Sequence, residues 1–159
     1  MARAASPVPK GYSTVTPVLT MQDTRKAIAW YEKALGAEKQ SISEGPDGKV
    51  MHASIRLGTS YLMLHDEMAG SKSPRAYGGS PVELFLYVDD SDAVFERAVD
   101  AGADGKVKPS DQFWGDRWGV FTDPFGLSWS VATHKEDLTK DEIESRQSEF
   151  FAEMAGKAG

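Results

Sequence analysis

Six consecutive residues, Phe113-Trp114-Gly115-Asp116-Arg117-Trp118, bring together two indoles, a phenyl ring and a guanidinium. Aromatic faces stack on flat organic molecules, and a planar guanidinium pairs with a carboxylate or phosphate. The segment predicts contact with a planar ligand: Phe113 and Trp114 stack, Arg117 takes an anionic group, and Asp111 and Gln112 add hydrogen-bonding groups. The competing reading is an aromatic hairpin in which Asp116 and Arg117 form a surface pair. A second set of candidates comes from strand alternation. Along Val50 to Leu57, His52 shares a face with Val50, Ser54 and Arg56, opposite an apolar face of Met51, Ala53, Ile55 and Leu57; Tyr61, Met63 and His65 share a face of the next strand. His52 and His65 near Glu83 would make an acid–base pair, or two imidazoles and a carboxylate for zinc. The plainer alternative has His52 hydrogen-bonded in a cleft and His65 in solvent at a strand end. Ser130 has no histidine and aspartate in a triad order, and no glycine-rich loop cradles phosphate.

The elements that must position these groups occur twice. Val18-Leu19-Thr20-Met21-Gln22-Asp23 leads into Ala27 to Ala37, and Leu84-Phe85-Leu86-Tyr87-Val88-Asp89 leads into Ala93 to Ala103, a period of about 66 residues. Each copy reads as strand, acidic turn, amphipathic helix and Gly-Ala, followed by further strands. The first copy predicts strands over 14–20, 37–43, 50–57 and 61–65. Its helix is capped by Asp23 or Thr24, carries Ile28, Tyr31 and Leu35 on one face and stops at Gly36; Trp30 and Tyr31 belong to its core side. The second copy predicts strands over 81–88, 107–112, 118–122 and 127–133, with a helix over 92–101. Residues 68–80, rich in Gly, Ser and Pro, read as a linker and candidate lid. Thr139-x-x-Glu142 is a capping box for a third helix outside the repeat, which either packs on its own domain or forms a dimer contact.

The expectation is an α+β fold: two tandem β-α-β-β-β modules forming a cup-shaped mixed sheet with a cleft between the halves, plus a C-terminal helix. Its parts are a flexible N-terminal arm (1–10), a domain at 11–134 (module one 11–67, linker 68–80, module two 81–134), and a helix and tail (135–159). With 159 residues and 40% hydrophobic content, the chain can bury one core. A formal charge of −6 argues against nucleic acid, and no apolar run is long enough to span a membrane. The N-terminus lacks the apolar stretch of a secretory signal, so a cytoplasmic location is expected. The absence of cysteine excludes disulfides, thiolate metal sites and cysteine nucleophiles.

These residues also carry a resemblance. Ala29 to Gly36 is similar to the first-helix signature of the vicinal oxygen chelate superfamily, the glyoxalase/bleomycin-resistance/dioxygenase fold, and Asp123-Pro124-Phe125-Gly126-Leu127-Ser128-Trp129-Ser130 resembles its last hairpin. Asp47 to Ala53, Leu62-Met63-Leu64 and Asp111 to Arg117 resemble the PhnB-like branch. The resemblance implies a small-molecule ligand and a homodimer. It also implies metal-ligand positions at Thr16, Met63, Glu83 and Ser130; Thr16 and Glu83 are 67 apart, as are Met63 and Ser130. Only Glu83 is an ordinary ligand for a hard divalent cation, and Met63 is a soft thioether. The expected protein therefore binds an organic ligand through His52, Met63, Glu83, Phe113, Trp114 and Arg117 and has no cofactor. The alternatives are a metal-dependent lyase, isomerase or dioxygenase, a metal-free catalyst using His52 and Glu83, and an antibiotic-sequestering protein.

Overall fold

A computed structural model describes residues 4–157. The first three residues of the expected N-terminal arm lie outside the described residues. The chain divides into two compact units between Ser80 and Pro81, each holding one copy of the repeat. Hydrogen bonding groups the strands into two four-stranded mixed sheets, one in each unit.

The first unit runs β1 (Val18–Met21), α1 (Thr24–Leu35), β2 (Glu38–Glu44), β3 (Val50–Leu57) and β4 (Ser60–Asp66), with sheet order β1-β4-β3-β2. β1 is parallel to β4, and the other pairs are antiparallel. The first strand is shorter than its β-branched composition suggests. Pro17 has no amide to give, and the Thr16 hydroxyl turns to the Ser13 carbonyl (3.0 Å), so pairing begins at Val18. Asp23 caps α1 by accepting from the Lys26 amide (3.0 Å), and Gly36 ends the helix in a left-handed conformation. The buried face of α1, with Ile28, Tyr31 and Leu35, packs against β3 and β4, whose Ala53, Ile55, Leu62 and Leu64 are buried as well.

Strict alternation fails at the start of β3. A register shift between β2 and β3 makes Met51 the extra residue of a bulge. Val50 is therefore fully buried while Met51 is 49% exposed, which corrects the expected faces of both residues.

The second unit runs β5 (Glu83–Tyr87), α2 (Ser91–Asp100), β6 (Asp104–Asp111), β7 (Asp116–Thr122) and β8 (Ser128–His134), in the matching order β5-β8-β7-β6. Asp90 caps α2 through the Ala93 amide. Phe95 of α2 meets Phe121 edge-on, and Phe121 stacks on Trp129. β6 carries two register shifts around Val107. They bring its chain so near β7 that a Cβ on Gly119 would stand 2.7 Å from the Val107 carbonyl oxygen.

One contact recurs in both units. The Thr24 amide donates to Asp66 Oδ1 (2.7 Å), and the Ser91 amide, 67 residues later, donates to Thr133 Oγ1 (2.8 Å). The start of each helix is thereby tied to the last strand of its own sheet. Asp66 also accepts from the Val50 amide (2.8 Å) and so holds β3.

The segment expected to be a linker or lid is fastened to the first unit. Glu67 accepts both the amide and the hydroxyl of buried Ser73 (2.8 and 2.6 Å), Met68 bridges Ser71, and Arg75–Tyr77 forms a short 3-10 turn. The third helix, α3 (Lys140–Lys157), starts with the expected capping box: Glu142 accepts the Thr139 amide and hydroxyl. It is held to its own unit by Phe150 on Phe113 and Arg146 on Glu136, while Phe151 and Met154 stay exposed. No helix among the described residues is long and apolar enough to cross a membrane.

Burial pushes the Asp66 carboxyl up, but the Thr24 and Val50 amides and the Arg25 charge hold it below its ordinary value. Its stabilising contribution is present above the unfolded-state pKa and is lost as pH falls through the folded one. Replacing Asp66 with Ala is expected to cost about 2–4 kcal/mol in denaturant unfolding at neutral pH. A loss within experimental error would show that this carboxylate does not hold the α1–β3–β4 junction.

Candidate functional site

One helix covers one face of each sheet, so each strand side chain lies either on the helix side or on the opposite side. In the second unit α2 lies on the side of Arg117, Phe121, Trp129 and Thr133. The other side bears no helix of the repeat. Registers place Glu83, Phe85 and Tyr87 of β5 opposite Ser128, Ser130 and Ala132 of β8; Asp116, Trp118 and Val120 of β7 stand opposite His134, Ala132 and Ser130. These residues make up the open face.

The face holds two linked polar groups. In the first, Trp118 Nε1 donates to Ser130 Oγ (2.8 Å), Ser130 donates to Glu83 Oε1 (2.6 Å), and Ser128 donates to Glu83 Oε2 (3.0 Å). In the second, buried Asp116 accepts from Tyr87 Oη (3.0 Å), Trp114 Nε1 (3.2 Å) and His134 Nδ1 (2.7 Å). His134 Nε2 faces Asp137 Oδ1 at 3.0 Å. Hydrogen bonds to Asp116 and then Asp137 raise the His134 pKa. Burial, followed by the Asp116 hydrogen bond, raises that of Tyr87. The rings of Phe85 and Tyr87 are 4.9 Å apart and 50% and 60% exposed, whereas Phe95, Phe121 and Trp129 are buried.

Arg117 does not belong to this face. It alternates with Asp116 and Trp118 along β7, so its guanidinium points to α2. There it forms a forked pair with Asp92 (2.9 Å from Nη2 to Oδ1) and a further bond to Asp111 (3.2 Å). These carboxylates raise its pKa, and it lowers that of Asp92. The expected anion anchor is thus a clamp between helix and sheet, and Asp116 is not its surface partner. Phe113 is also engaged, edge-on to Trp114 (5.0 Å) and against Phe150 of α3 (5.5 Å). Trp114 keeps its place at the edge of the open face, 5.9 Å from Trp118.

In the first unit the corresponding face carries Val18, Thr20, Ser54, Tyr61, Met63 and His65. His52 is exposed, opposite Ser43 on β2, and its imidazole has no hydrogen-bond partner among the described residues. His65 is not free in solvent: Nδ1 donates to the Asp66 carbonyl (2.8 Å), and Nε2 meets the Thr20 hydroxyl (3.3 Å). Ser54 and Ser41 share a hydrogen bond, Arg56 pairs with Glu38, and Tyr12 lies on Tyr61.

The positions that the resemblance marks for a metal hold a poor donor set. Thr16 lies outside β1 with its hydroxyl given to Ser13, Met63 offers a thioether, and the Ser130 proton is directed at Glu83. A hard divalent ion needs several carboxylates or imidazoles, and Glu83 alone qualifies.

Phe85, Tyr87 and His134 were not singled out by sequence reasoning. The hairpin turn supplied a signal for one contact. With Asp123-Pro124-Phe125-Gly126 as the turn, Thr122 pairs Ser128, and counting outward pairs Asp116 with His134. The Glu83–Ser130 bond depends on parallel pairing across a helix and carries no such local mark.

The sequence matches, over residues 14–131, the family described as the Glyoxalase/Bleomycin resistance protein/Dioxygenase superfamily. An uncharacterized protein of Mycobacterium tuberculosis H37Rv is 42% identical over 139 residues, 84% of this chain and 82% of that one. The crystal structure of protein PA1353 from Pseudomonas aeruginosa is similar with a TM-score of 0.62 at 27% identity, covering 78% of this chain and 99% of that one. The PhnB protein of Bacillus cereus shares the fold, with a TM-score of 0.60 at 18% identity over 76% and 99% of the two chains.

His134 faces a carboxylate oxygen from each ring nitrogen, an arrangement that only the imidazolium satisfies with two donors. Because its pKa is raised, its stabilising contribution is complete below the unfolded-state value, about 6.5, and is lost as pH climbs through the folded one. In an NMR titration His134 should keep its proton above that ordinary value, and Asp116→Asn should lower its midpoint. A midpoint unmoved by Asp116→Asn would remove the carboxylate as its cause.

Proposed function

The chain belongs to the glyoxalase/bleomycin resistance protein/dioxygenase superfamily, and from that premise we propose that it binds a small planar organic molecule on the open face of its second sheet, without a divalent metal. The observation that carries the reading is the distribution of aromatic rings. Those on the α2 side are buried, while Phe85 and Tyr87 stand exposed beside half-buried Trp114 and Trp118 on the side without that helix. Exposed rings in a group mark a surface that gains by being covered. Glu83 lies on the same face and supplies a polar contact, held from beneath by buried Ser130. Arg117 acts by holding α2 to β7 and does not touch the ligand.

A second reading, metal-free acid–base chemistry, rests on His134. Its imidazole is oriented by a buried carboxylate with Tyr87 on the same oxygen pair, which is how a proton-transfer group is held in place. In this reading the pair is His134 and Asp116 rather than His52 and Glu83.

A thermal-shift screen of polycyclic aromatic compounds, followed by titration of tryptophan fluorescence, tests the main reading. Bound compounds should quench or shift the emission, and Phe85→Ala should weaken them by about fivefold to tenfold, the worth of one ring contact. Compounds whose affinity ignores both Phe85→Ala and Tyr87→Ala would move the binding surface elsewhere.

A further inference from the structure

We propose that the molecule taken up on the open face of the second sheet carries a protonated amine or amidine group, received by Glu83. This rests on the ligand-binding reading above and adds the sign of the ligand's charge. The first support is the direction of the donor chain. An indole N–H can only donate, so Trp118 gives to Ser130, and Ser130, with a single hydroxyl hydrogen, gives to Glu83. Ser128 gives to the other carboxylate oxygen. Donation ends at Glu83, whose two oxygens are held by hydroxyls of its own sheet. Ser130 is 1% exposed and Glu83 is exposed, so the chain is fixed from beneath and its acceptor end faces outward. A group arriving from solvent completes the remaining acceptor capacity only if it brings hydrogens.

The second support is the absence of a competing positive charge. Among the described residues, no Lys, Arg or His forms an ion pair with Glu83. Arg117, the one arginine on the strands of this sheet, is turned to α2 and held by Asp92 and Asp111. The lysines of the sheet sit on β6, at the edge away from β5, where Lys106 pairs with Asp104. The one basic group on the open face, His134, is held between Asp116 and Asp137. A carboxylate-bearing ligand would therefore meet Glu83 with no counter-charge to offset it.

The third support is what borders the carboxylate. Phe85 is the next residue of β5 on the same face, and Tyr87 the one beyond it, with rings 4.9 Å apart. Aromatic faces attract cations, and a carboxylate beside two exposed rings suits an ammonium attached to a flat body. The Glu83 side recognises the charge, and Phe85, Tyr87 and Trp118 cover the body.

The test is calorimetric titration of the intact protein with matched probes at neutral pH: naphthylmethylamine, methylnaphthalene and naphthoate, and the corresponding anthracene set. The amines are expected to bind at least about tenfold more tightly than their uncharged and carboxylate counterparts, and added salt should narrow the gap. Glu83→Gln, which keeps an oxygen for Ser130, should remove the advantage of the amines over their uncharged counterparts, with its melting temperature reported alongside. Equal binding of all three types overturns the charge assignment while leaving the ligand-binding reading in place. An amine advantage that survives Glu83→Gln also overturns it. Failure of every probe to bind counts against both.

Discussion

One helix of about three turns can cover one side of a four-stranded sheet and no more. Each unit places that helix between its first two strands and ties the helix start to the last strand, through Asp66 in one copy and Thr133 in the other. The consequence is a division of labour between the two faces. Apolar side chains collect under the helix, and the opposite side is left with residues chosen for something other than the core. Arg117 and Trp118 are neighbours in sequence and serve opposite sides of this division, one bracing the helix and the other facing away from it.

The two copies differ in a way that depends on the face. Beneath the helices the exchanges stay apolar: Ile28 corresponds to Phe95, Leu62 to Trp129 and Leu64 to Val131. On the open faces they change character. Val18 corresponds to Phe85, Thr20 to Tyr87, and Met63 to Ser130. In the first copy Thr20 meets His65 across the parallel pair. In the second, Ala132 stands where a histidine would be, and Tyr87 reaches on to Asp116. The two faces thus differ in polar organisation while sharing one strand order.

The frame was legible from the chain because its signals are local: acidic caps, helical spacing, a glycine at the helix end and a Pro-Phe-Gly hairpin. The errors came where a neighbour not visible in sequence decided the outcome. The bulge at Met51 reversed the expected sides of Val50 and Met51, since alternation assumes an unbroken ladder. Arg117 looked available because Asp92 lies a helix away in the chain, and His65 looked solvent-exposed because Thr20 reaches it only through parallel pairing. Glu83 and Ser130 stand at two of the positions where the resemblance implies metal ligands; the chain could not show that they hydrogen-bond to one another.

The irregular ladders of β2 and β6 bear on a different matter. A straight outer strand offers its unpaired amides and carbonyls as a template on which another chain can crystallise, the first step toward fibrils. Here each is broken by register shifts, and β6 adds Pro109, which has no amide to offer. Gly119 is the residue that admits the β6 distortion, because any side chain there would collide with Val107 and Pro109. A glycine in the middle of a strand, costly in isolation, thus helps keep a concentrated solution of this protein from adding strand to strand.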